Sequence, residues 1–315
     1  MPGPGAASDG KAPGPSVDEL LGRCTFAPSG TTVVCAVSGG ADSLALLVLA
    51  CAAGLTVTAV HVDHGLRPGS AAEAEIAAAA AARFGAAFRS ETVIVEDGPN
   101  LEARARTARR GAVGPDAATG HTMDDQAETV LLNLLRGAGL DGLAAMRAGR
   151  RHPILGLRRS ETRALCRSLG LDPVRDPSNS DPRFRRNRVR HELLPLCSEI
   201  AGRDVVPVLA RQAGLLAAEG DLLDELAAGI DPSNSAELTG APEPLARRAT
   251  RRWLRHDGPY PPDLAAIERV LGVARGEAKA TDVAPGVRVR RSGGRLSVAP
   301  VGASGAARPG APADC

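Results

Sequence analysis

The stretch at residues 31–49, TTVVCAVSGGADSLALLVL, constrains the fold of this 315-residue chain more than any other. Its first half, 32–37, is short, apolar and β-branched, which predicts a buried strand, and its last part is Ala- and Leu-rich, which predicts a helix. The turn between them is SGGADS at 38–43. A strand, a glycine turn and a helix start bring free N–H groups and the positive end of the helix dipole to one point, which favours an anion such as phosphate. The alternative is an ordinary glycine-rich turn in which Asp42 or Ser43 caps the helix.

Apolar runs typical of strands alternate with helical patterns through the first half of the chain. We predict strands at 32–37, 55–62, 86–95 and 116–119, and helices at 44–53, 70–84, 100–110 and 123–136. This alternation predicts an α/β fold with a parallel sheet and helices on both of its faces. Ligands of such sheets bind beyond the carboxyl ends of the strands. Polar motifs follow three of the predicted strands, at 38–43, 61–67 and 121–128.

The second half of the chain predicts a smaller, mainly helical domain that ends in a β-hairpin. Helices are expected at 204–228, 242–256 and 262–272, and the hairpin at 287–299 around a Ser-Gly-Gly turn. We therefore divide the chain into a tail at 1–15, a nucleotide-binding domain at 16–200, a connecting helix at 201–230, a smaller domain at 231–300 and a tail at 301–315. Both tails are rich in Pro, Gly and Ala and are expected to be disordered.

Composition bounds the class of protein. Hydrophobic residues make up 43% of the chain and charged residues 23%, so the chain has enough apolar residues for a folded core. The sequence contains no 18-residue apolar span of the kind that crosses a membrane. The net charge is only +2, so a nucleic-acid surface would have to come from local clustering. The six cysteines form no C-x-x-C motif and no metal spacing, and we expect a reducing, cytoplasmic environment.

Acidic residues cluster at the start of the helix predicted at 123–136. Asp124, Asp125 and Glu128 are three and four positions apart, so they can share one helix face. Such carboxylates could hold Mg²⁺ together with ATP phosphates, or orient a polar substrate. They could also simply complement the helix dipole. The nearby His121 could contact a phosphate, transfer a proton or be purely structural.

Arginine dominates the stretch 147–190, which contains thirteen arginines, four acidic residues and no lysine. Its densest part is DPRFRRNRVRH at 181–191. On a helix these arginines would occupy several sides, which suits a polyanion such as RNA, because guanidinium groups bind phosphates in a bidentate manner without reading sequence. The alternative is a solvated charged face.

Taken together, these motifs resemble one family. SGGADS is similar to the signature of the PP-loop ATP pyrophosphatases, and further segments resemble tRNA(Ile)-lysidine synthetase. They are HVDHGLR at 61–67, ATGHTMDDQAET at 118–129, RGAGLDGL at 136–143 and DPSN…RNRVRHELLP at 176–195. The resemblance covers about residues 32–195, and the part after 201 is similar only in layout. The chain departs from the family at 109–118, which is about two helical turns short, and at His152, where the family often has arginine.

The resemblance implies a carbon–nitrogen ligase. Such enzymes use ATP to adenylate the 2-oxygen of the wobble cytidine in an isoleucine tRNA with a CAU anticodon, releasing pyrophosphate. The ε-amine of L-lysine then displaces AMP and gives lysidine. The implied substrates are ATP with Mg²⁺, L-lysine and tRNA(Ile), and the implied location is the cytoplasm, with no membrane.

The resemblance also implies roles for particular residues. The ATP-binding residues would be Ser38, Gly39, Gly40, Ala41, Asp42, Ser43, His61, Asp63, Arg106 and Gly120. The catalytic residues would be Asp42, His121, Asp124, Asp125, Glu128 and Arg188, of which Asp124 and Asp125 would also hold Mg²⁺. The tRNA-binding residues would be Arg136, Arg185, Arg186, Asn187 and Arg190.

Two other functions stay open at this point. A tRNA thiolase of the same PP-loop group would need reactive cysteines, whereas Cys166 and Cys197 lie outside the motifs at the strand ends. A tRNA-binding protein with impaired catalysis would be consistent with the short segment at 109–118.

Overall fold

The computed structural model describes residues 15–63, 70–93, 108, 111–174, 181–254 and 262–300. Within it the chain divides into two compact units, Met1–Ala217 and Ala218–Cys315. Both predicted tails, almost all of the helix predicted at 100–110, and Arg106 lie outside the described residues. No helix in the described ranges is long and apolar enough to cross a membrane.

A parallel three-stranded sheet forms the centre of the first unit. Its strands are β1 (Thr32–Ala36), β2 (Thr56–Asp63) and β3 (Ala87–Thr92), hydrogen-bonded in the order β1-β2-β3. The register places Val34 opposite Thr58 and Val60 opposite Arg89. The predicted parallel sheet is therefore confirmed, with three of its four expected strands.

The fourth strand, predicted at 116–119, is wrong in extent. Only Ala118 pairs with the sheet, through a single parallel bridge to Cys35. The N–H of Ala36 donates to the Ala118 carbonyl at 2.9 Å, and the N–H of Ala118 donates to the Val34 carbonyl at 2.8 Å. The next N–H, that of Thr119, points to the other side of the strand and donates to the Arg151 carbonyl, and no further bridge to β1 forms within 116–119.

Helices surround this sheet in the first unit. They are α1 (Val17–Leu21), α2 (Ala41–Ala52), α3 (Ser70–Arg83), α4 (Met123–Leu135), α5 (Leu140–Leu143), α6 (Arg159–Ser168), α7 (Arg185–Arg188) and α8 (Leu194–Ala201). A π-helical turn, Val189–Leu193, joins α7 to α8 without a break. The long helix α9 (Val206–Ala228) follows and runs from the first unit into the second.

The core explains why α2 lies at the centre of the unit. Eight consecutive residues of α2, from Ser43 to Ala50, are buried, as expected for an Ala- and Leu-rich helix that is apolar on all sides. Helices α2 and α3 pack against one face of the sheet, and α6 packs against α2. The opposite face, at Val60, is covered by Val113 and Ala117. Within the described residues, the segment that precedes Ala117 is helical at 108 and at 111–113.

The second unit combines helices with an antiparallel sheet. Its helices after α9 are α10 (Ser235–Gly240), α11 (Glu243–Trp253) and α12 (Leu264–Arg275), and its strands are β4 (Ala280–Ala284), β5 (Val287–Ser292) and β6 (Arg295–Pro300). The predicted hairpin is confirmed as β5 and β6. Gly293 and Gly294 both have positive φ, +55° and +76°, which is the turn geometry that matches the twist of a two-residue hairpin. Strand β4 is an addition that the sequence pattern did not predict.

Candidate active site

The SGGADS loop is a preformed turn between β1 and α2. The Ser38 N–H donates to Ser43 Oγ at 3.1 Å, and that hydroxyl donates to the Gly40 carbonyl at 2.9 Å. Gly40 is the N-cap of α2 and has no side chain that could cap it. The N–H groups of the first turn of α2 are thus left without a side-chain cap, which is the arrangement that binds phosphate at a helix start.

Two glycines make this loop possible. Gly39 has a φ of +77°, and a Cβ there would lie 3.2 Å from both the Glu73 carbonyl oxygen and Val174 Cγ2. Gly120 follows the bridge at Ala118, and its Cβ would lie 2.7 Å from the Asp42 carbonyl oxygen. The chain after Ala118 therefore lies directly against the first turn of α2, and only glycine fits at both positions without movement of the backbone.

Two predicted ATP-binding residues lie on β2. His61 is buried, and its Nδ1 donates to the Val37 carbonyl at 3.0 Å, since a carbonyl can only accept. This bond holds the backbone at Val37, between β1 and the loop. His61 therefore supports the loop from a buried position and is not exposed at its surface. Asp63 is half-buried at the last position of β2, at the same edge of the sheet as the loop.

The start of α4 is fixed by a buried carboxylate. Asp125 Oδ2 accepts hydrogen bonds from both the N–H and the hydroxyl of Thr122, each at 2.9 Å. Glu128, one turn further on, is fully buried. Both predicted acidic residues thus point into the protein, where a charge requires partners.

Three arginines provide these partners, and we call Asp125, Glu128, Arg159, Arg186 and Arg190 the arginine cluster. Glu128 accepts from Arg159 at 3.1 Å, from Arg186 at 2.8 Å and from Arg190 at 2.7 Å. Asp125 Oδ1 accepts from Arg159 at 2.8 Å and from Arg186 at 3.1 Å. Burial by itself would raise the pKa of Asp125, but Arg159 and Arg186 lower it to about 2. Asp125 is therefore ionised at neutral pH.

Asp124 lies beside the arginine cluster with partners of its own. Arg158 donates to its two oxygens at 3.1 and 3.2 Å, and the Arg159 N–H donates to Oδ2 at 2.8 Å. Burial favours a higher pKa for Asp124, and the hydrogen bonds from Arg158 and Arg159 outweigh it and lower the pKa. Arg158 also forms an ion pair with Asp204.

The predicted magnesium role can be tested against these contacts. Both oxygens of Asp124 and both oxygens of Asp125 already accept hydrogen bonds from N–H or O–H donors. Among the described residues, no group of three or more His, Cys, Asp or Glu side chains is arranged to hold a metal. As arranged here, Asp124 and Asp125 do not fit a magnesium site.

Asp42, in the phosphate loop, is bound differently. Its Oδ1 accepts from the Thr162 hydroxyl, while its Oδ2 lies 3.5 Å from Arg159 Nε. Burial raises the pKa of Asp42, and the contacts with Thr162 and Arg159 offset this only in part. Asp42 thus has one oxygen held by a hydrogen bond and one that is only loosely paired.

His121 is half-buried and belongs to a pair of histidines. Thr119 Oγ1 lies 2.7 Å from His121 Nδ1 and 2.8 Å from His152 Nδ1, and the two rings are T-shaped with centroids 4.9 Å apart. Because Gly120 contacts the first turn of α2, this pair lies next to the phosphate loop.

The arginine-rich segment divides between two sides of its helix. Arg186 and Arg190 point inward to the arginine cluster, whereas Arg185 and Arg188 are exposed. Arg188 forms an ion pair with Glu192 at 2.8 Å and is not brought to the acidic residues of α4. Of the other predicted tRNA-binding residues, Asn187 is buried and donates to the Asp181 carbonyl at 2.9 Å. Arg136 is exposed at the C-cap of α4.

Sequence reasoning missed three residues of the site: Arg158, Arg159 and Thr162, at the start of α6. A local signal for this helix exists. Glu161 accepts from the Arg158 N–H at 2.8 Å as in a capping box, and the buried Thr162, Leu165 and Cys166 have helical spacing.

Comparison with known proteins finds two matching family models, which cover separate parts of the chain. A family model described as a PP-loop domain matches residues 16–197, and one described as the TilS substrate binding domain matches 234–297. The chain is 48% identical over 245 residues to a tRNA(Ile)-lysidine synthase of Rhodococcus erythropolis, covering 72% of this chain and 74% of the relative. It is 43% identical over 290 residues to a tRNA(Ile)-lysidine synthase of Nocardia farcinica, covering 84% and 91%.

A solved structure has the same fold at much lower identity. It is the U34-tRNA thiolase NcsA from Methanococcus maripaludis, with a TM-score of 0.50, 17% identity, and coverage of 64% of this chain and 78% of that one. At this identity the similarity concerns the fold alone.

Proposed function

The chain belongs to the tRNA(Ile)-lysidine synthase family, and on that premise we propose how its residues carry out an ATP-dependent ligation. ATP adenylates the 2-oxygen of the wobble cytidine in CAU-anticodon tRNA(Ile), and L-lysine then displaces AMP. The observation that carries this proposal is the preformed phosphate loop at 38–43, against which Gly120 packs.

In the first step, the cytidine oxygen attacks the α-phosphorus and pyrophosphate leaves. We assign the binding of the ATP phosphates to the N–H groups at the start of α2, together with Ser38, an exposed residue of the loop whose hydroxyl lies 3.3 Å from Ser43 Oγ. Positive charge for the anion would come from Arg186 and Arg190. Their bonds to the carboxylates use Nε and Nη2, and within the described part of the chain Nη1 of each makes no hydrogen bond.

In the second step, the lysine ε-amine attacks C2 of the adenylated base and AMP leaves. Lysine arrives as a cation, so its amine must lose a proton before it attacks. His121 follows Gly120, which contacts the phosphate loop, and we assign its imidazole to this proton transfer or to a phosphate contact.

ATP enters such sites with Mg²⁺, which neutralises phosphate charge, and a protein usually contributes one or two carboxylates to it. Asp42 fits this role better than Asp124 or Asp125. Its Oδ2 accepts no hydrogen bond from the described residues, and it lies at the phosphate loop.

We further propose that the exposed Arg136, Arg185 and Arg188 contact the tRNA backbone, while Arg186, Asn187 and Arg190 hold the segment in place.

The five described cysteines are free thiols, which agrees with action in the cytoplasm.

A thiolase activity is less well supported. Burial raises the pKa of Cys35 to about 12 and that of Cys166 to about 11, so both are protonated at neutral pH and poor nucleophiles.

The test uses a CAU-anticodon tRNA(Ile) transcript, labelled lysine, ATP labelled at the α-phosphate to follow AMP, and, in parallel, ATP labelled at the γ-phosphate to follow pyrophosphate. We expect pyrophosphate release without lysine, and AMP release equal to lysine incorporation when lysine is added. The same tRNA with guanosine at the wobble position is the control and should give neither product. Binding of ATP and tRNA without pyrophosphate release would indicate a binding protein instead.

A further inference from the structure

Helix α6 reaches the phosphate loop through its first turn. The Thr162 hydroxyl contacts Asp42 Oδ1, and Arg159 Nε lies 3.5 Å from Asp42 Oδ2. Both residues come from a segment 117 to 120 positions away in the sequence, so the contact exists only through the packing of α6 on α2.

The Thr162 hydroxyl has two acceptors within reach but only one proton. It lies near Asp42 Oδ1 and 2.9 Å from the Arg159 carbonyl oxygen of its own helix. An ionised carboxylate is the stronger acceptor, so the proton is directed at Asp42. Thr162 is fully buried and has no contact with water in this position. Water therefore cannot replace the hydroxyl if it is removed.

Asp42 needs such a restraint because of its surroundings. Its carboxylate lies in the first turn of α2, beside the N–H groups that would bind the ATP phosphates, and two negative groups repel one another there. A carboxylate held at Oδ1 keeps Oδ2 in one direction, whereas an unrestrained side chain would rotate away from the phosphates.

We propose that Thr162 is a positioning residue for adenylation: its hydroxyl fixes the Asp42 carboxylate in the orientation required when ATP is bound. The proposal rests on the proposed function, since it assigns Thr162 to the first of the two steps. It predicts that the hydroxyl matters for the rate of that step and little for the affinity for ATP, because the loop's own N–H groups stay in place.

Two substitutions separate the hydroxyl from the packing of the side chain. Thr162→Val keeps the shape and removes the hydroxyl, while Thr162→Ser keeps the hydroxyl and removes a buried methyl group. In tRNA-dependent pyrophosphate release under single-turnover conditions, we expect Thr162→Val to lower the maximal rate about 10- to 100-fold, as for loss of a hydrogen bond to a charged group. The ATP concentration at half-maximal rate should stay within about threefold, and Thr162→Ser should stay close to the wild-type rate.

A matched control is available in α11. Thr250 is also fully buried in a helix, and within the described residues its hydroxyl has no hydrogen-bond partner. Thr250→Val should therefore leave the rate unchanged. Thermal unfolding of each variant checks that it is folded.

The order of the two Thr162 variants decides the question. If Thr162→Ser were slower than Thr162→Val, the role would be packing, because a lost buried methyl leaves a cavity, and the proposal would be overturned. Equal, wild-type rates in both would overturn it as well. Absence of pyrophosphate release from the wild-type protein would instead refute the proposed function, and with it the assignment of Thr162.

Discussion

Replacement of Glu128 by glutamine tests the arginine cluster most directly. Glu128 is fully buried and is the shared acceptor of Arg159, Arg186 and Arg190. Glutamine has the same shape, but it removes the charge and points an N–H₂ donor at guanidinium donors. Removal of one partner from a buried ion pair costs about 3–5 kcal/mol, and we expect the upper half of that range because Arg186 and Arg190 then have only Asp125, which they share with Arg159.

The assay can separate the two units of the chain. The single tryptophan, Trp253, lies in the second unit, so its fluorescence reports on that unit, whereas far-ultraviolet circular dichroism reports on both. In urea, Glu128→Gln should move the dichroism transition of the first unit to lower concentration and leave the Trp253 transition unchanged. Glu192→Gln is the control, since its ion pair with Arg188 is exposed, and it should move neither transition.

Activity gives the second readout. If Glu128 orients the arginines, both pyrophosphate release and lysine incorporation should fall together, by about tenfold or more, as for loss of hydrogen bonds to charged groups. A variant with wild-type stability that loses only lysine incorporation would refute this reasoning. Glu128 would then contact the lysine ammonium rather than organise the arginines.

Three further predictions concern the phosphate loop and the exposed arginines for which we propose tRNA contacts. Asp42→Ala should abolish pyrophosphate release while the protein stays folded, as measured by release of labelled pyrophosphate and by thermal unfolding. Changing Arg185 and Arg188 together to alanine should weaken tRNA binding but not ATP binding, and should reduce the slope of log K against log salt by about 1.4 to 1.8; an unchanged slope would mean that neither contacts a phosphate. Gly120→Ala should displace the first turn of α2 and raise the dissociation constant for ATP, whereas Gly214→Ala, in open space on α9, should stabilise the protein by up to about 1 kcal/mol in urea unfolding.

The elements with strong local signals could be predicted from the sequence. The β1–loop–α2 unit follows from a β-branched run, two glycines and an Ala- and Leu-rich run, and the β5–β6 hairpin follows from Gly293-Gly294. Strand β4 was missed because Ala280–Ala284 combines alanine and aspartate, which have low strand propensity, and it forms only by pairing with β5.

The partners of the charged residues could not be predicted in this way. The sequence singled out Asp125 and Glu128 from their spacing, and an arginine-rich stretch from its composition. It could not indicate that Arg159, which lies 31 residues from Glu128, would form an ion pair with it. Such pairing depends on where the start of α6 lies relative to α4, and spacing along one element carries no information about a neighbouring element.

In the arginine-rich helix, apolar packing determines which arginines are buried and which are exposed. Arg186 and Arg190 are four positions apart and share a side, whereas Arg188 lies on the other side of the helix. The apolar residues decide which side faces inward: Val189 and Leu194 are buried against Ala127 and Leu131 of α4. The arginines beside this apolar contact must then meet the carboxylates of α4, and those opposite it stay exposed. This segment thereby holds the arginine cluster together on its buried side and leaves Arg185 and Arg188 exposed, so, under the tRNA contacts proposed for them, salt should weaken tRNA binding without dismantling the site.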